Sequence, residues 1–122
     1  MDRPPAVSVC PDVSVLKKRA DFLLAARARR YGTPGFHLQG RERATDPEAG
    51  IRIGFTCSKK VGNAVARNRA KRRLRAIAQA VLPQHGRDGW DYVLVGRAET
   101  TDALPYLQLI ADFKRALGKV HR

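Results

Sequence analysis

Eight cations crowd one short stretch of the chain. Between Lys59 and Arg75 stand Lys59, Lys60, Arg67, Arg69, Lys71, Arg72, Arg73 and Arg75, with no acidic residue among them. Like charges one helical turn apart cost about 0.2–0.5 kcal/mol per pair. A helix of a single sign therefore makes physical sense when an anion lies against it. On a wheel of about 100° per residue, Ala66, Ala70, Leu74, Ile77, Ala78 and Val81 form one apolar stripe that packs on something. Asn68, Lys71, Arg72 and Arg75 fall on the opposite half, with Arg69 and Arg73 between the two. Arg67 falls within the stripe at the first turn, where its guanidinium bridges the seam between helix and neighbour. Gly62 permits close backbone approach and Asn63 is a natural N-cap, so the unpaired N–H groups of this helix start add a second attraction for phosphate.

Other chemistries lack their residues. Cys10 sits among prolines and Cys57 in an apolar run, and no C-x-x-C is present. Cys57 reads as a small buried hydrophobe, and thiols so used suit a reducing cytoplasm. His37, His85 and His121 share no ligand spacing. The acids Asp21, Glu42, Glu48, Asp91 and Asp112 are scattered, so no paired-carboxylate site for metal-assisted hydrolysis is expected. Neither catalytic nor metal-ligating residues are assigned.

The elements that must position this basic segment fit one domain. The chain has 122 residues and a formal charge of +13, with 43% hydrophobic residues, which makes intrinsic disorder a poor reading despite the charge and leaves room for one modest core. No apolar run is long enough for a membrane span, and the N-terminus has no signal-peptide core. Residues 1–14 read as a flexible Pro-rich arm and 15–122 as a single α/β domain. From Val15 to Tyr31 the spacing of Ala20, Leu24, Ala28 and Tyr31 predicts a helix, ended by Gly32 and Pro34. Phe36 to Gln39 reads as a short strand, and the Asp46-Pro47 turn lies in a stretch that can extend the strands beside it. Ile51, Ile53, Phe55 and Cys57 alternate with Arg52, Gly54 and Thr56, the clearest strand in the chain. The basic helix runs from about Ala64 to Leu82, stopped by Pro83 and Gly86. Trp90 to Gly96 reads as a central strand. A last helix spans about Pro105 to Leu117, with Tyr106, Ile110, Phe113 and Leu117 at i, i+4, i+7 and i+11 and Gly118 as its cap. The order α-β-β-β-α-β-α gives a two-layer α/β sandwich in which the strands at Ile51–Cys57 and Asp91–Val95, joined through a helix, run parallel.

The run from Ser58 to Arg75 (SKKVGNAVARNRAKRRLR) resembles the signature of the protein subunit of bacterial ribonuclease P, with Arg67-Asn68-Arg69 at its core. Leu16-Lys17-Lys18 with Asp21-Phe22 is similar to that family's first helix, and Asp91 to Arg97 to its last strand, so the likeness covers about residues 15–117. It implies a ribosomal-protein-like fold with a left-handed crossover. It also implies a cytoplasmic RNA-binding subunit that assists a catalytic RNA in removing the 5′ leader of precursor tRNA. The RNA, with Mg²⁺, is expected to perform the hydrolysis, and no cofactor is expected on the protein alone. The implied partners are that RNA subunit and the leader of precursor tRNA, with no membrane and no obligate protein partner.

Carried over by position, Lys59, Lys60, Arg67, Asn68, Arg69, Lys71, Arg72 and Arg75 are candidates for the RNA subunit. Phe22 is a candidate for stacking on the leader, against ordinary core packing, since an aromatic face accepts any base. Its place off the Ala20–Leu24–Tyr31 stripe favours a ligand-facing role. Arg52 and Thr56, on the polar face of the clear strand, either line the same cleft or form a solvated sheet face. Two positions depart from the family's habit: Ala26 stands where a second aromatic is common, and Gln39 where many members have Tyr. Two other functions compete: a stand-alone nuclease, which needs the acid cluster this chain lacks, and a ribosomal-type or general RNA-binding protein.

Overall fold

The structure, a computed structural model, describes residues 13–43, 50–57, 61–87 and 89–121. Its elements are β1 (Val13–Val15), α1 (Arg19–Ala26), β2 (Arg29–Gly32), β3 (Phe36–Glu42), β4 (Ile51–Cys57), α2 (Ala64–His85), β5 (Trp90–Gly96), α3 (Thr100–Ala103) and α4 (Tyr106–Val120). The strands form one sheet in the order β1-β4-β5-β3-β2, with β5 at its centre. β4 runs parallel to both β1 and β5, and β3 runs antiparallel to β5 and β2. The expected α/β sandwich and the parallel β4–β5 pair are present.

Strand parity divides the molecule. Phe36, Leu38, Ile51, Ile53, Trp90, Tyr92 and Leu94 point to the face covered by α2 and α4, where Leu74, Ile77, Val81, Leu109, Phe113 and Leu117 complete the main core. Phe36 and Phe113 meet edge-on at 5.8 Å. The other face carries a smaller cluster of Leu16, Ala25 and Val93, on which Phe22 and Val95 pack, and among the described helices α1 is the one that lies there. The core thus fixes α2 and α1 on opposite sides of β4 and β5.

Five expectations are corrected. The helix read over Val15 to Tyr31 is only Arg19–Ala26, closed by the Arg27 N–H on the Leu24 carbonyl (3.2 Å) and the Ala28 N–H on that of Ala25 (3.1 Å). Residues 29–32 then pair with β3, and the Arg29 guanidinium bonds the Val120 carbonyl at 2.9 Å, tertiary contacts that override the local helical spacing. The expected stripe is also turned: Ala20, Leu24 and Ala28 are exposed, and Ala25 is buried. The basic helix passes Pro83 and stops at Gly86, whose N–H bonds the Leu82 carbonyl. The last helix continues through Gly118 to Val120, because Val120 is itself a core residue. Val13 and Ser14, read as part of the arm, pair with Ile51 and Arg52. The Asp46-Pro47 turn and the rest of the arm lie outside the described residues.

At the C-terminal end, the Tyr92 hydroxyl accepts from the Arg87 N–H at 3.0 Å and lies 2.6 Å from His121 Nε2. Burial, then the nearby Arg87 and Arg29, push His121 down to about 4, and burial pushes Tyr92 well up. His121 is thus neutral, and the hydrogen bond between its Nε2 and the Tyr92 hydroxyl pins the end of α4 to the sheet.

Candidate nucleic-acid interface

The amino end of α2 is built as its sequence predicts. Asn63 is the N-cap, its side chain accepting the Ala66 N–H at 3.0 Å. Gly62 before it has φ 136°, where any side chain is strained. No acid stands in the first turn to neutralise the helix dipole. The apolar stripe from Ala70 to Val81 is buried, which turns Asn68, Arg72 and Arg75 to solvent and leaves Lys71 half-buried.

The backbone of Arg67 lies at the seam between α2 and β4. The residue is half-buried, and its carbonyl lies 3.9 Å from the Cys57 Sγ on β4. Cys57 is half-buried rather than fully enclosed; burial pushes its thiol up, opposed by the Gly96 backbone and by Lys71 and Arg67. Arg69 and Arg73 turn the other way. Arg69 pairs with Asp102 at 3.1 Å on an exposed surface, and Arg73 donates to the carbonyls of Asp102 at 3.0 Å and Leu104 at 2.6 Å. Arg73 therefore ties α2 to the α3–α4 connection. Sequence reading missed Asp102, because a carboxylate so far along the chain leaves no local signal. Lys59 and Lys60 lie outside the described residues.

On the opposite face, α1 and the sheet enclose an open groove of about 470 Å³. Lys17, Arg19, Phe22, Leu23 and Ala26 form one wall, and Gln39, Phe55, Thr56 and Val93 the rest, with no carboxylate among the described lining residues. Phe22 is half-buried, its ring resting on Leu16 and Val93 while it also faces the groove. Core packing and access to a ligand are both satisfied by one side chain. The ring has its seat because position 54 is glycine: a Cβ there would come within 2.6 Å of it. Gly54, Lys17 and Arg19 were missed in the sequence, although a glycine inside a clean strand is a sign of close approach. Ala26 and Gln39, the two departures, both line this groove and leave it wide.

Thr56 borders the groove; Arg52 does not. Its guanidinium grips Asp91 in two hydrogen bonds, Nε to Oδ1 at 2.8 Å and Nη2 to Oδ2 at 2.7 Å, and approaches Asp21 at 3.5 Å. Asp91 is fully buried and also holds Arg43, with Arg41 at 3.5 Å. This knot closes the sheet face beside α1.

Among the described residues no three His, Cys, Asp or Glu side chains gather to hold a metal ion, and no helix is long and apolar enough to cross a membrane. Asp21, Asp91, Asp102 and Asp112 each pair with arginine. The exposed cations of α2 and the α1 groove thus lie on opposite faces of one sheet.

The family model described as Ribonuclease P matches residues 11–121. A ribonuclease P protein component from Ruegeria pomeroyi is 61% identical over 120 residues, covering 97% of this chain and 96% of that protein. Another, from Paramagnetospirillum magneticum, is 51% identical over 108 residues, 86% of this chain and 80% of its own length. The solved RNase P protein of Staphylococcus aureus superposes with a TM-score of 0.67 at 27% identity, covering 88% of this chain and 97% of the other. That of Thermotoga maritima has the same fold, with a TM-score of 0.70 at 23% identity over 86% and 96% of the two chains.

Proposed function

The chain belongs to the ribonuclease P protein family, and from that premise we propose that it holds the RNA subunit on one face of its sheet and the 5′ leader of precursor tRNA on the other. As the protein component of ribonuclease P it takes part in tRNA processing, with the ribonuclease P RNA and precursor tRNA as its partners. In this reading the RNA subunit meets Asn68, Lys71, Arg72 and Arg75, with Arg67 beside them and Lys59 and Lys60 preceding the helix in sequence, while Arg69, turned to Asp102, stands at the edge of that surface. Phe22 stacks on a leader base and Thr56 hydrogen-bonds beside it, while Arg52 acts by holding the Asp91 knot beneath α1. The chain's cations screen the repulsion between two phosphate backbones.

The observation that carries the leader role is the groove itself, where a half-exposed ring lies between cationic Lys17 and Arg19 and the sheet with no acid alongside. Hydrolysis belongs to the RNA, and the Mg²⁺ it uses is held by RNA phosphates. The carboxylates Asp21, Asp91 and Asp102 are committed to arginines and are poorly placed to hold an ion or accept a proton from water. The compartment is the cytoplasm.

Cleavage of precursor tRNA is the test. The RNA subunit with Mg²⁺ should cut alone, the protein should raise its kcat/KM, and cutting by protein without RNA would refute the division of labour. Phe22→Ala should weaken binding of leader-bearing substrate about tenfold and leave leaderless RNA unchanged; an equal loss with both would remove the stacking role.

A further inference from the structure

A second recess lies on the main-core face, between β1, β4 and α2, with a volume of about 180 Å³. Ile53, Val15 and Ala78 make it apolar, Gln79 supplies one amide, and Arg75 holds its guanidinium 5.4 Å above the Phe55 ring. Phe55 also lines the α1 groove on the other face of the sheet. The two hollows meet at this residue because β1 is short. Its pairing with β4 ends at Ile53, whose carbonyl takes the Leu16 N–H at 2.8 Å, and the chain then leaves for α1. Beyond Ile53 the outer edge of β4 has no strand partner among the described residues. By parity with Ile53, the Phe55 N–H and C=O turn to this open edge.

We propose that a single RNA strand lying in the α1 groove crosses the open edge of β4 at Phe55 and places one further, unstacked base in the recess between Phe55, Arg75 and Gln79. The proposal rests on the reading of the α1 groove as the leader site and extends it to a second base. An aromatic ring with a guanidinium over it is a stacking platform for a splayed-out base, and an amide at the rim can bond the base edge. The approach is cationic through Arg75, and the walls are apolar, which suits a nucleobase better than a phosphate. The occupant is the leader, because the recess continues from the leader groove through the shared Phe55, and Arg75, where the RNA-subunit surface of α2 meets the recess, contacts both RNAs.

Precursor tRNAs with leaders lengthened one nucleotide at a time, bound to the reconstituted holoenzyme, provide the test. Affinity should rise first when the leader reaches Phe22 and again when it reaches the recess. Gln79→Ala, at an exposed position, should erase about a five- to tenfold gain at the second step only. Val15→Glu, which adds a negative charge at the mouth, should do the same. A 4-thiouridine at the distal leader position should crosslink to a peptide containing Gln79. No second step in the wild type, a Gln79→Ala effect equal at every leader length, or crosslinks confined to the α1 groove would overturn the proposal. A first step insensitive to Phe22→Ala would instead sink the groove reading, so the two failures are distinguishable.

Discussion

Arg52 and Asp91 are locked face to face across neighbouring strands, Nε on Oδ1 at 2.8 Å and Nη2 on Oδ2 at 2.7 Å, with the carboxylate fully buried. Removing Asp91 takes the shared carboxylate from Arg43, whose side chain is almost wholly enclosed, and from Arg52 and Arg41. Asp91→Ala should therefore cost about 3–5 kcal/mol, read by urea denaturation. Arg52→Met should cost less, since Arg43 still serves the carboxylate, and should leave the affinity ratio between leader-bearing and leaderless RNA unchanged. A fall in that ratio without a fall in stability would return Arg52 to the leader.

That knot marks the limit of what the sequence discloses. β4 and β5 were legible because strict alternation and glycine-bounded apolar runs need no distant partner to be recognised. The buried face of α2 was legible from its stripe for the same reason. The Arg52 contact was not, because a polar residue on the right strand face looks the same whether it meets RNA or a buried aspartate. Residues 29–31 carry the helical spacing, since only the β3 register shows that they pair. Phe22 was placed off the stripe, yet the ring serves both packing and groove, a choice that Gly54 on another element decides.

Gly54 offers a way to move Phe22 without touching it. Gly54→Val puts atoms where the ring sits, with the first Cβ already within 2.6 Å. Overpacking should cost about 1–3 kcal/mol. At a temperature where the variant is folded, discrimination in favour of leader-bearing RNA should drop about tenfold. Affinity for the isolated RNA subunit should hold. Equal weakening of both would show that the damage is global.

His121 gives stability a pH dependence of defined sign. Its folded-state pKa, about 4, lies below its ordinary 6.5, and its Nε2 is 2.6 Å from the Tyr92 hydroxyl. Above pH 6.5 the imidazole is neutral in both states and its contribution is flat. As pH falls from 6.5 towards 4, the unfolded chain takes up a proton that the folded chain refuses, so stability declines through that window and levels off below it. Tm measured from pH 7 to pH 4 should fall, and His121→Gln should flatten part of that slope. An unchanged slope would show that the Tyr92–His121 contact does not govern it.

Arg72 and Arg73 are neighbours in sequence with opposite duties. Arg72 is exposed on the outer half of α2, whereas Arg73 is half-buried and spends its guanidinium on the carbonyls of Asp102 and Leu104. If five to eight cations meet phosphates, log K for the RNA subunit should fall with log salt at about 0.7–0.9 per contact. Arg72→Gln should flatten that slope by about one unit and leave Tm in place. Arg73→Gln should lower stability by about 1.5–3 kcal/mol, the value of hydrogen bonds from a charged donor, and leave the slope alone. Charge counting predicts the same loss from both variants, since each removes one positive charge from the same turn. The opposite pattern, a slope change for Arg73 and none for Arg72, would put the RNA on the α3 side of the helix, where Asp102 already holds Arg69.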